Sequence, residues 1–579
     1  MHHRVASFSV PRALALAIAA PMVLSLVACG GSSSGGGGNP VPAITSLSPN
    51  STAAGGPAFT LTVTGSNFIS SSTVQWNGSA RTTSFVSATQ VQAQITAADV
   101  ASGASVPVTV SNPSPGGGIS NSSTFAVNNP APTIASLNPT SAAAGGGAFS
   151  LTVTGTNFVS SSTVEWNGVS QTTTFVSSTE LQAQISAGDI ASNGAVSVSV
   201  STPPPGGGTS NALSFAINPS GSLVVNQLTN DLVWDAKNQV IYLSVPSVAG
   251  AATGNTVSVL APLTGTITKS QFAGSEPDVM AISDDSQFLY AGLDGSSSVQ
   301  RFALPGLTTD INYSLGKDSF FGPYFALDLQ VAPAAPHTTA VTRAAFNVSP
   351  AAQGGVQIFD DVTMRPTTVP GFSGTGHLFD SLQWGSVATA LYSANNEDTG
   401  FDFYTLTVNA SGVAFGNDYG GDFSQFGIRI HYDRGTNLVY ADDGHVVVPA
   451  TGLPGGSFPA SGLMVPDSNL NRAYFLGQTQ SQFGSANFTI ESFDLTHFTP
   501  LNSVVFFNVA GNPLRLIRWG INGLAFNTSG GQIILISGSF VSSTAAPRVQ
   551  AHPLIDHVQR TWETPKTFLL PGTEPKTSN

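Results

Sequence analysis

The residues able to do chemistry are few and scattered. The nine histidines (His2, His3, His337, His377, His431, His445, His497, His552 and His557) contain no HExxH or comparable pair, so no metal centre is expected. His431 and His445 flank one hairpin-like segment and could approach each other, but turn and surface roles are the reading for the whole set. Three polar runs, Asp284-Asp285, Asn395-Asn396-Glu397-Asp398 and Asp442-Asp443-Gly444, offer the oxygen ligands that calcium takes. None has the spacing of an EF-hand loop, and solvated turns are expected instead. Gly31-Ser32-Ser33-Ser34-Gly35 fits GxSxG, yet no strand precedes it and no helix follows, so it is no nucleophile elbow. Gly316-Lys317 is followed by Asp318, not Ser or Thr, and forms no phosphate loop. No catalytic residue, metal ligand or cofactor site follows from these residues.

One reactive side chain remains, Cys29, the only cysteine in 579 residues. A single cysteine excludes an intramolecular disulfide and any Cys-rich metal site. A net charge of −13 without a basic cluster argues against nucleic acid. Charged residues make up only 8% of the chain, while Gly, Ser, Thr, Val and Pro are plentiful. That mix suits short strands joined by turns.

Residues 1–12 carry His2, His3, Arg4 and Arg12 and no acid, and residues 13–28 are apolar apart from Ser25. This reads as a signal peptide over 1–28. It ends in Leu26-Val27-Ala28-Cys29, which resembles the lipobox of bacterial lipoproteins. The resemblance implies cleavage before Cys29 and lipid attachment at its thiol, making a membrane the first partner. Residues 29–41 then form a Gly/Ser-rich tether of roughly 20 Å. Gly30 stands where enteric lipoproteins kept in the inner membrane carry aspartate, which favours the outer membrane of a bacterial envelope.

The cysteine is followed by a repeat. An ungapped offset of 90 residues relates Ile44 to Ile134, Gly65 to Gly155, Asn67 to Asn157, Phe68 to Phe158 and Trp76 to Trp166. Each copy alternates apolar and polar residues between turns, as in a β-sandwich. The segments ITSLSPN, AAGGPAFTLTVTGSNF, VQWNG and VPVTVSNP, with their counterparts in the second copy, resemble the IPT/TIG family of immunoglobulin-like domains. Domains are expected at 42–128 and 132–218. Gly65 and Gly155 are read as turn residues, and Phe68 and Phe158 as core plugs. Trp76 and Trp166 are read as packing residues rather than sugar platforms.

From about residue 222 a second period runs. VWDAKNQVIYLSV, AISDDSQFLYAGL, QVAPAAPHTTAVTR, QWGSVATALYSAN, HYDRGTNLVYADD, VPDSNLNRAYFLG and AFNTSGGQIILISG each show strand, polar turn, strand. Anchoring them at Tyr242, Tyr290, Ala340, Tyr392, Tyr440, Tyr474 and Ile534 gives a spacing of about 49 residues. A third strand follows most hairpins, as in NTVSVLAPLTG and SVQRFALPGL. The pattern predicts a seven-bladed β-propeller over 222–569 with a flexible tail at 570–579. EPDVMAISDDSQFLYAGLDGSSSVQRFAL resembles the YVTN-type propeller repeat. Leu223–Val225 lacks a hairpin partner and is expected to close the ring on the last blade, which continues through VSSTAAPRVQAHPL.

The expected fold class is therefore all-β: two tandem Ig-like β-sandwiches followed by a β-propeller. The expected function is an envelope lipoprotein with an Ig-like stalk and a non-catalytic binding head, whose partner is a polysaccharide or an envelope protein. The alternative is an extracytoplasmic lyase or lactonase working at the central channel.

Overall fold

The computed structural model describes residues 37–542, apart from 347, 352–353, 372–375, 396, 398 and 481–485. Cys29, the leader, His2, His3, His552, His557 and the 570–579 tail lie outside the described residues. Strands dominate, and no described helix is long and apolar enough to cross a membrane. The chain divides into two compact units, one ending at Asn129 and one starting at Pro130.

The first unit is an immunoglobulin-like sandwich. One sheet runs Ala43–Ser48, Phe59–Ser66, Gln90–Ile95, Thr83–Ser87, and the other is built on Ser123–Asn128, Ala104–Asn112 and Thr73–Trp76. Strand alternation sends Leu61, Val63, Val74, Val108 and Phe125 inward, where they are fully buried. Phe68 plugs this core as expected. Trp76 is buried beside Phe125, with ring centroids 5.0 Å apart, so it has no free face for a sugar. Gly65 is not at a turn: it lies within the strand Phe59–Ser66, opposite a bulge between Ile44 and Ser46. A Cβ there would stand 2.0 Å from the Ala43 carbonyl oxygen and 2.6 Å from the Phe68 ring. Close approach, not conformational freedom, requires the glycine. The left-handed residue is Asn67, at φ 63°.

The second unit begins with the second sandwich, which repeats this topology and the Trp166–Phe215 contact. Its strand Leu213–Asn218 lies against Pro500–Val509 of the region beyond, and Asn508 Nδ2 donates to Ser214 Oγ at 2.6 Å.

That region is the propeller. Seven antiparallel sheets follow one another among the described residues. Their inner strands are Asp231–Asp235, Pro277–Ile282, Gly322–Ala332, Ser381–Trp384, Ile430–Asp433, Leu463–Asp467 and Pro513–Trp519. Each inner strand neighbours the next, and the first neighbours the last, so the ring is closed. Tyr242, Tyr290, Ala340, Tyr440 and Tyr474 sit on second strands, fully buried between blades. Each of the four tyrosines contributes on the order of 1.5–3 kcal/mol of burial.

Ring closure occurs where the sequence places it. Ser222–Asn226 pairs with Gln532–Ser537, Val224 opposite Ile534. The register of the last blade needs correction. Ile534 lies on its third strand, not its second, and the second strand is Gly523–Thr528, with Asn527 fully buried in it. The inner strand Pro513–Trp519 carries two arginines and no strict alternation, which hid it from the repeat pattern. The last blade also does not run on as a strand: Ser539–Ser542 is a short helical turn, and residues 543–554 lie outside the described residues.

Candidate functional site

Propellers present chemistry at the mouths of their channel, where the inner strands begin and end. Register supplies the alignment. Asp231 pairs with Ser244, Asp328 with Thr342, Ser381 with Ala394, and Leu463 with Leu476, each two residues past its second-strand anchor. Arg515 pairs with Asn527 in the same way, and the Arg429 carbonyl accepts from Asp442 N at 3.1 Å. Blade two is bulged between Pro277 and Met280. One rung of the ring therefore reads Asp231, Asp328, Ser381, Arg429, Leu463, Arg515.

On this rung, an acceptor side chain staples its blade to the next. Asp231 Oδ2 accepts from Met280 N at 2.9 Å, Asp328 Oδ2 from Leu382 N at 2.8 Å, and Ser381 Oγ from Ile430 N at 3.2 Å. The two bonds to aspartate are the stronger, charge-assisted kind. A guanidinium cannot accept, and at both arginines the residue across the pair of strands makes the link instead, one as an acceptor and one as a donor. Asp442, beside Arg429, accepts Met464 N at 2.9 Å; Asn527, opposite Arg515, donates to the Thr229 carbonyl at 2.7 Å.

The arginines themselves face an acidic surround. Arg515 Nε lies 3.2 Å from Asp231 Oδ1. Arg429 lies deep, and among the described residues its Nη1 is buried without a hydrogen-bond partner. Burial and the neighbouring Arg515 charge push its pKa down, while Asp231, Asp328 and Asp442 oppose them. Burial pushes Asp328 up, against the Leu382 amide and the Arg515 charge. Five charged side chains from blades one, three, five and seven thus act on one another at this mouth.

The other mouth lies about five residues along the inner strands, roughly 15 Å away. There the hairpin turn of blade five sends Arg434 to Asp284 of blade two at 3.0 Å. Blades two and five stand on opposite sides of the ring, so this pair bridges the channel.

The residues singled out in the sequence fall elsewhere. Asp442 and Asp443 are buried, not solvated: Asp443 accepts from Ser424 N at 2.7 Å and sits 2.9 Å from His445 Nδ1, and Asp442 sits 3.0 Å from His431 Nε2. The two histidines are thus held by successive aspartates. Asp284-Asp285 is a turn, with Asp285 accepting from Gln287 N. Residues 396 and 398 of the third run lie outside the described residues, while Asn395 is buried and Glu397 accepts Ala351 N at 2.6 Å. His337 bonds Asp361, His377 stacks on Phe415 at 4.8 Å, and the exposed His497 lies 3.0 Å from Asp494. No cluster able to hold a metal ion occurs among the described residues. A shallow cleft at the closure seam, lined by Asn226, Gln227, Leu228 and Gly530–Gly531, carries no titratable group. Sequence reasoning missed Arg429 and Arg515, because only strand register aligns them.

Residues 42–127 and 132–217 match the IPT/TIG domain. No curated protein matches the chain. Among solved structures, the chain is similar to the β-propeller domain of Cps50 (Swd1) from Myceliophteria thermophila: 9% identity, 55% of this chain, 99% of that one, TM-score 0.40. It is also similar to the Dos1 propeller, at 11% identity over 71% and 94% with TM-score 0.36. A functionally unknown protein from Desulfotomaculum acetoxidans matches at 11% identity over 53% and 92%, TM-score 0.33. At these scores the likenesses carry no argument, and the architecture rests on the strand pairing.

Proposed function

We propose that this chain is a bacterial envelope lipoprotein, anchored by lipid at Cys29 and facing outward from the outer membrane, with a non-catalytic propeller of YVTN type as its binding head. The lipobox, the Gly/Ser tether and the tandem IPT/TIG modules support an anchored stalk. One observation carries the non-catalytic reading. The three carboxylates at the channel mouth are each already bonded to backbone amides: Asp231 to Met280, Asp328 to Leu382 and Asp442 to Met464. A general acid or base has to be free to exchange a proton with substrate. These groups instead hold the ring rigid, which suits a surface that binds an envelope polysaccharide or protein.

Fractionation of cells expressing the full chain tests the anchor. The wild type belongs in the detergent-soluble membrane fraction and Cys29→Ser in the soluble fraction. Membrane retention of Cys29→Ser that detergent still releases overturns the anchoring.

The enzyme reading keeps one observation in its favour, the convergence of charge from blades one, three, five and seven at a single mouth. Turnover of an envelope polysaccharide by the purified chain, lost on Arg429→Lys, decides for it.

A further inference from the structure

We infer that the mouth formed by the inner-strand starts binds a carboxylate-bearing ligand between Arg429 and Arg515. The inference rests on the binding-head reading above and names the chemistry of what the head takes.

Ring construction accounts for Arg515 Nε, which pairs with Asp231 of blade one at 3.2 Å, but not for Arg429. The rung works as a blade-to-blade staple when it carries an acceptor, as at Asp231, Asp328 and Ser381. At Arg429 the accepting role passes to Asp442 on the neighbouring strand, whereas at Arg515 the neighbouring Asn527 links the blades as a donor, to the Thr229 carbonyl. Residues that break a local rule and oblige a neighbour to compensate mark functional positions. Arg429 also leaves Nη1 buried and unbonded among the described residues, a cost that an anionic ligand removes.

The surroundings select among anions. The cluster brings three aspartates, Asp231, Asp328 and Asp442, to the two arginines. A carboxylate adds one charge to this cluster where a dianionic phosphate adds two, and it matches the planar guanidinium fork. Asp231 holds Arg515 Nε, the aspartates otherwise bond backbone amides, and Arg429 Nη1 is the donor left without a partner among the described residues. The Arg434–Asp284 bridge restricts the far mouth, so a ligand enters from the arginine end. Two sources supply such a group: the uronic acid of an acidic polysaccharide and the carboxylate of a peptide.

The test is isothermal titration of the full chain with sodium glucuronate, N-acetylglycine, phosphate and glucose, on wild type, Arg429→Lys and Arg515→Lys. Saturable one-to-one binding of glucuronate or N-acetylglycine is expected, weakened about tenfold by each variant, with unchanged melting temperatures. The tighter of the two identifies a sugar or a peptide source. The inference is overturned if neither carboxylate binds, if phosphate or glucose binds as tightly, or if both variants bind like wild type. Misfolding of one variant leaves the other to decide. Misfolding of both also overturns it, because the guanidiniums then serve the ring. A ligand recovered chemically altered sinks the non-catalytic reading and leaves the carboxylate site standing.

Discussion

Arg434 and Asp284 meet at 3.0 Å although 150 residues separate them, and their blades face each other across the ring. Both side chains are about half exposed. Solvent screens such a pair, so its worth is under about 1 kcal/mol. Arg434→Ala should shift the propeller's melting temperature by no more than about 2 °C. A larger drop in calorimetry means the pair holds the ring, not merely its far mouth.

Asp442 is the opposite case. It is buried and accepts Met464 N, at 2.9 Å, and Arg429 N, at 3.1 Å. Asp442→Ala leaves two amides without acceptors beside an uncompensated Arg429, and should cost about 3–5 kcal/mol. Asp442→Asn keeps an acceptor and should cost less. Chemical denaturation ranks the three proteins, and equal stability of Asp442→Ala and wild type defeats the staple.

The contrast shows what the sequence carried. Strand alternation and the recurring tyrosines exposed the blades, because Tyr242, Tyr290, Tyr440 and Tyr474 must each fill the same inter-blade space. Blade three kept the period with Ala340 in that place. The last blade slipped by one strand, since Gln532–Ser537 looks more like a buried second strand than Gly523–Thr528 does. The candidate site was illegible. Arg429 and Arg515 belong to one rung only once pairing is known, and Asp442-Asp443 looks like a turn until neighbouring blades cover it.

Asp422 gives a pH signature. Burial, with Asp402 and Asp418 nearby, raises its carboxyl to about 6, and Oδ2 is buried without a partner among the described residues. A raised carboxylate pKa means the folded state holds the proton more tightly than the unfolded one. Stability from this group is therefore greatest below pH 4 and declines as pH rises from about 4 to about 6. Asp422→Asn should remove that decline and stabilise the protein at pH 7 by about 1 kcal/mol, discounted for partial exposure. Melting curves at pH 4.5 and 7 give the comparison; a variant that keeps the wild-type difference assigns it to other groups.

Trp76 tests the sandwich reading. Its ring is buried against Phe125, so Trp76→Ala opens a cavity costing about 3–5 kcal/mol. The first unit ends at Asn129, and calorimetry should show one transition moving down while the propeller's transition stays fixed. If Trp76→Ala leaves thermal unfolding untouched but abolishes binding to an envelope polysaccharide, the tryptophan is a sugar platform after all.

Closure by Ser222–Asn226 is the sharpest test of the ring. The strand pairs along its length with Gln532–Ser537, from Ser222 opposite Ile536 to Asn226 opposite Gln532. Its side chains alternate between the two blades it joins. Val224 packs on the cluster that holds Ile534, Ile536 and Phe526, beside blade six. Val225 packs on the cluster with Leu232, Trp519 and Ile533, beside blade one. Leu223 lies on the blade-one side too, close enough to Gly265 that a Cβ there would sit 2.6 Å from Leu223 Cδ2. A carboxylate at Val224 or Val225 enters an apolar seam, at a cost of about 2–4 kcal/mol. Leu223 is 38% exposed, and a carboxylate there can turn to water. The predicted order of melting temperatures is wild type, then Leu223→Asp, then Val224→Asp and Val225→Asp together at the bottom. Removing residues 222–226 should lower the transition further and promote aggregation, because Ile533–Ile536 becomes an open apolar edge. Equal melting of all three aspartate variants with wild type would mean that the final blade holds its shape without this strand.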